Sequence, residues 1–112
     1  MKNKVGQWVR DLENNKFSKI TRVFQIDEKI FYFAFNNFEI QINDAKIETY
    51  LRVADTPQEL IEVGDLYEFE GQVIQVGNGY FQFELKSLKN YIITKIWTPN
   101  SSGGYDLQWT KE

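Results

Sequence analysis

With 112 residues, a formal charge of -3, no His, no Cys and 16% aromatic residues, the chain has the size of one domain and lacks the side chains on which most metal, thiol and acid-base sites depend. No apolar leader opens it, and its longest near-apolar run, Ile30 to Phe35, is far short of the roughly 20 residues a membrane helix needs. These features predict a cytoplasmic protein of the β-rich kind, without a membrane segment or cofactor, that works through its surface.

In chain order, Val5, Trp8, Val9 and Leu12 stand at i, i+3, i+4 and i+7, which predicts an amphipathic helix over residues 3–14, closed by Asn14-Asn15. From Lys16 the period changes to two and predicts a first strand through Ile26, with Asp27-Glu28-Lys29 as a turn. Ile30 to Phe35 is apolar on both faces, the pattern of a central strand between a neighbour's core and the helix. Asn36-Asn37 suits a hairpin, after which Phe38, Ile40 and Ile42 alternate with polar residues. Ile47, Thr49, Leu51 and Val53 continue as a strand, although Ala45 to Leu51 also fits a short helix.

The middle of the chain carries the clearest local signal. Thr56, Pro57 and Glu59 compose a capping box with proline at the first helical position, and Gly64-Asp65 ends the turn they start. Leu66 to Val76 reads as a strand with Gly71 as a bulge, and Gly77-Asn78-Gly79 reads as a hairpin. Phe81, Phe83 and Leu85 then point inward, Ser87 to Asn90 makes a turn, and Tyr91 to Trp97 forms another strand. Thr98 to Gly104 is a long loop, and Tyr105, Leu107 and Trp109 end the chain as an inward-facing strand.

Ala54-Asp55-Thr56-Pro57-Gln58-Glu59-Leu60-Ile61 with Gly64-Asp65-Leu66, then Ile93-Thr94-Lys95-Ile96, Thr98-Pro99-Asn100 and Gly104-Tyr105-Asp106-Leu107-Gln108-Trp109, resembles a module of small uncharacterised phage and prophage proteins of low-GC Gram-positive bacteria. The resemblance covers roughly the second half of the chain. It implies a mobile-element origin in an infected or lysogenic host and brings no catalytic or binding residue with it.

The expected fold is therefore α+β, mainly β. In it the N-terminal helix packs on antiparallel strands over 1–53, and residues 54–112 form a small, partly open β-barrel of Src-homology-3-like or OB-like type, all within a single domain. Chemistry is poorly supplied. The acidic stretch lacks the Gly-centred pattern of a calcium loop, neither glycine pair precedes a helix as a phosphate cradle would, and a nucleophile-His pair is ruled out, so no enzyme is expected.

Charge is more informative. Nine Lys or Arg stand against seven Asp or Glu over residues 1–54, but four against nine over 55–112. Asp55, Glu59, Glu62, Asp65, Glu68 and Glu70 follow one another without a single cation between them. Such a stretch is ordinarily a solvated face, yet with Tyr67 interleaved it also suits a basic protein partner. Small phage proteins of this kind often inhibit a host protein by occupying its nucleic-acid-binding surface. An anti-CRISPR or other anti-defence inhibitor is thus the leading expectation, a homodimer being allowed, and a phage structural or assembly protein is an alternative. A further alternative is a small barrel that binds single-stranded nucleic acid through Lys16, Lys19 and Arg22, with Tyr32, Tyr50, Tyr67, Tyr80 and Trp97 as stacking aromatics.

Overall fold

A computed structural model describes residues 4–27, 29–35, 39–43, 51–77, 88 and 90–112, with backbone alone for 29–35 and 39–43. The opening segment is a hairpin, where the spacing predicts a helix. Trp8–Asp11 is strand β1 and pairs antiparallel with β2, Lys16–Ile26. Gly6 has a φ of 96°, which a right-handed helix does not contain. Farther on, Asp11 Oδ1 accepts the backbone N–H groups of Glu13 and Asn14 at 2.9 and 3.3 Å, and Asn15 takes a φ of 55°, so the chain reverses over Leu12–Asn15. Of the residues that set the helical spacing, Val9 is buried, while Val5 is 61% exposed and Leu12 is also exposed. Four apolar positions fit a helix by count, but backbone-directed polar groups decide the local conformation.

The chain divides into two units, Met1–Leu60 and Ile61–Glu112. In the first, β3 (Lys29–Phe35), β4 (Glu39–Asn43) and β5 (Leu51–Ala54) join β1 and β2 in an antiparallel sheet of order β4-β3-β2-β1-β5. The Ile30 to Phe35 run is a strand between β4 and β2, not the expected central one, since β2 lies at the sheet centre, and among the described residues no N-terminal helix packs beside it. The turn at Asn36-Asn37 and the segment containing Ile47 and Thr49 lie outside the described residues. Val9, Ile20 and Leu51 form a buried cluster on one face, with Val23 and Val53 packed against it. Val23 reaches that face because β2 bulges at Thr21: Ile20 pairs with Ala34, but the next pair is Arg22 with Phe33.

The capped turn in the middle of the chain is a short 3₁₀ turn, Pro57–Leu60. Glu59 Oε2 accepts the Thr56 N–H at 3.2 Å, the reaching-back half of a capping box. Beyond it, Gly64 has a φ of 95° and donates its N–H to the Val76 carbonyl at 3.1 Å, while Val76 N–H donates to the Asp65 carbonyl at 2.9 Å. A Cβ at Gly64 would meet nothing within 4 Å, so substitution is penalised by the backbone alone. Gly64→Val is expected to cost about 1–2 kcal/mol, and Gly64→Asn less, because Asn tolerates positive φ. Thermal melts of the two variants check this; equal melting of Val, Asn and parent proteins would contradict it.

The second unit is an open antiparallel sheet, not the expected barrel. Strands β6 (Leu66–Phe69), β7 (Gln72–Gln75), β8 (Ile93–Pro99) and β9 (Tyr105–Thr110) lie in the order β7-β6-β8-β9, with β7 and β9 outermost among the described residues. Among the described residues no closed barrel forms. The expected strand Leu66 to Val76 is broken at Glu70-Gly71, read from sequence as a bulge. Both residues have positive φ, 52° and 77°, and with Phe69 opposite Gln72 they make a tight type I′-like hairpin that folds the strand in two. Tyr67, Ile93 and Ile96 are buried, Tyr67 opposite Ile96 and Phe69 opposite Ile93, and the Phe69 ring stacks on Tyr91 at 4.2 Å.

On β9 the expected inward set holds at Trp109, half-buried opposite the buried Ile96, and fails at Tyr105 and Leu107. Ile96 pairs with Trp109 but Trp97 with Leu107, so Gln108 is the extra residue of a bulge and is buried, whereas Tyr105 and Leu107 are exposed. The long loop before β9 closes on Asn100, whose Oδ1 accepts the N–H groups of Ser102 and Gly104, each at 3.0 Å. The Gly77-Asn78-Gly79 hairpin and the strand of Phe81, Phe83 and Leu85 lie outside the described residues.

Candidate functional site

The acidic stretch is not one surface. Asp55 and Glu59 belong to the first unit and Glu62 to Glu70 to the second. Asp55 is exposed and accepts a hydrogen bond from Gln7 Nε2 at 3.0 Å, and Glu59 is exposed but caps the 3₁₀ turn. Asp65 is fully buried, its Oδ2 accepting the Glu62 N–H at 2.8 Å. This carboxylate holds the loop into β6 and is withheld from solvent. Tyr67 is also buried, opposite Ile96, so the aromatic anchor expected beside the charges belongs to the sheet core.

Within the second unit, the exposed end of the stretch lies on the β6–β7 hairpin. Glu70 is exposed at its tip, and Val73, 55% exposed, stands in register with Glu68 on β7. Glu68 is half-buried, accepts the Thr94 hydroxyl at 2.7 Å and lies opposite Lys95 on its other side. Sequence reasoning missed Val73, which alternation within one long strand gave no reason to single out. The Gly71 signal could have found it, had a hairpin been placed there.

The basic residues sort differently. Trp8 pairs with Lys19 and with Ala54, and Arg10 pairs with Phe17 and with Arg52, so these side chains share the sheet face opposite the Val9 cluster. Lys16 falls on the other face, opposite Asp11. The Thr21 bulge then returns Arg22 and Phe24 to the face of Lys19, although Lys19 and Arg22 are three residues apart. Lys19 Nζ lies 5.8 Å from the Trp8 ring centroid and Arg22 Cζ lies 5.2 Å from that of Phe24.

Thus two of the three predicted cations come together and the third does not. Trp8 and Phe24 were missed as their partners, Trp8 because it was assigned to a helix. Of the aromatics named from sequence, Trp97 is half-buried, Tyr50 and Tyr80 lie outside the described residues, and so does the Tyr32 side chain. Toward the β1–β2 turn this face closes: Arg10 and Phe17 are buried, with the Arg10 guanidinium donating to the Leu60 carbonyl at 3.0 Å and lying over the Phe17 ring.

Among the described residues no three His, Cys, Asp or Glu side chains gather as a metal would require, and no helix is long and apolar enough to cross a membrane. No family model matches the chain, and no curated protein or solved structure matches it either.

Proposed function

We propose that the chain is a non-catalytic protein-binding module that sets its β6–β7 hairpin against a basic, nucleic-acid-binding surface of a bacterial defence protein and inhibits it, as an anti-CRISPR or other anti-defence factor. The observation that supports this reading is the hairpin itself, where Glu70 is exposed at the tip of a tight turn and Val73 is exposed on β7 beside it. A carboxylate beside an apolar contact is what a Lys- or Arg-rich phosphate site accepts in place of a nucleic acid, and the tight turn lowers the ordering entropy of binding. The phage resemblance of the second half of the chain supplies the biological setting.

The test uses a purified, guide-loaded defence nuclease with a basic nucleic-acid channel. The parent protein is expected to slow target capture, and Glu70→Lys with Val73→Lys to require roughly tenfold more protein for the same effect, a loss typical of disrupting one anchor and its charge. Both positions are exposed, so the double variant should melt within about 0.5 kcal/mol of the parent. Equal inhibition by parent and variant, or none by the parent, contradicts the reading.

A further inference from the structure

We propose that the face of the N-terminal sheet carrying Trp8, Lys19, Arg22 and Phe24 is a binding site for single-stranded nucleic acid, separate from the β6–β7 hairpin. Four observations meet there. Lys19, Arg22 and Ile26 are exposed and Trp8 and Phe24 are half-buried, so this stretch of the face is open to a ligand. Each exposed cation lies over a ring, which sets phosphate-binding groups beside π surfaces. Among the described residues, the pairing register places no carboxylate on this face of β1, β2, β3 or β5, and places Glu39 on it in β4, beyond β3 from Arg22 and Phe24. The face also has a closed end, where Arg10 and Phe17 are buried, so the accessible part is bounded.

The chemistry selects the ligand. An exposed Lys and Arg answer a phosphate backbone, and their long side chains can leave the rings to reach it. Trp and Phe offer stacking surfaces that every base can use, but only where bases are unstacked from a duplex. A sheet face with rings beside its cations therefore favours a single strand over a double helix, whose base faces are hidden. The Thr21 bulge is the device that makes the site: in an unbroken strand, Lys19 and Arg22 would lie on opposite faces.

The experiment is fluorescence anisotropy of a labelled oligothymidylate of about 12 nucleotides, within the site sizes usual for small binding domains, titrated with the full chain at low and moderate salt. The parent is expected to bind, with affinity falling as salt rises. Lys19→Glu with Arg22→Glu should weaken binding at least about tenfold and flatten the salt dependence by about one unit of log-log slope. Trp8→Leu should weaken it about tenfold while leaving that slope unchanged, the signature of lost stacking. Lys16→Glu, on the opposite face, should stay within about twofold, since it makes no phosphate contact. The hairpin variant Glu70→Lys with Val73→Lys should bind at least as tightly as the parent, which keeps this result distinct from a failure of the inhibitor reading. Circular dichroism confirms that each variant is folded. No binding by the parent overturns the proposal. So does equal weakening by Lys16→Glu and the Lys19/Arg22 pair, or affinity for heparin or the matching duplex as high as for the single strand, since each would mean general attraction of polyanions.

Discussion

Arg10→Ala is expected to cost about 3 kcal/mol of folding stability, the largest effect of any substitution discussed for this chain. Arg10 is 2% exposed, and its two terminal nitrogens donate to the Leu60 carbonyl and to Asn15 Oδ1, each at 3.0 Å. Its register partner Arg52 donates to the Glu59 carbonyl at 3.1 Å, so two arginines on adjacent strands hold consecutive carbonyls at the end of the 3₁₀ turn. Truncating Arg10 would leave acceptors unpaired and a void beside Phe17, whereas Arg52 is half-exposed and water can replace part of its role. Arg52→Ala should accordingly cost about 1 kcal/mol. Urea denaturation decides the matter: the Arg10→Ala midpoint should fall well below that of Arg52→Ala with little change in slope, and coincident midpoints would contradict the assignment.

Asp65→Ala should cost about 2–3 kcal/mol, because it removes a buried acceptor from the Glu62 N–H and loosens the loop that pairs with Val76. Asp65→Asn retains an acceptor oxygen and should cost less. Were Asp65 one more solvated carboxylate of an acidic stripe, either change would fall within about 0.5 kcal/mol. Melts of the two variants beside the parent separate these outcomes.

How far the sequence could be read follows from these same residues. Glu59 announces a capped turn because capping is a local property, and Gly64 takes a positive φ, but the 3₁₀ turn already ends at Leu60 and Gly64 belongs to a separate turn before β6. The strand character of Ile30 to Phe35 is legible for a similar reason, as six apolar residues in succession suit an interior strand. The N-terminal helix fails because four apolar residues satisfy its period by coincidence, while Gly6 and the Asp11-to-Asn15 reversal, equally present in the sequence, outweigh them.

The β6–β7 hairpin is not legible, since a Gly after Glu does not show whether a strand bends or turns back. The candidate surfaces were legible only in part. Which of Lys16, Lys19 and Arg22 share a face depends on a bulge at Thr21 that no alternation rule announces. Whether Asp65 and Tyr67 are buried depends equally on pairing across the sheet.

The most direct test of the functional reading is phage plating on a bacterial host with active CRISPR immunity, the chain being expressed before infection. The parent protein is expected to restore plaque formation, and the Glu70→Lys, Val73→Lys variant, present at the same level and with the parent's melting temperature, is expected to leave the host immune. Plaque counts that are equally low with both proteins, or equally restored by both, would contradict the claim that the β6–β7 hairpin inhibits such a defence protein.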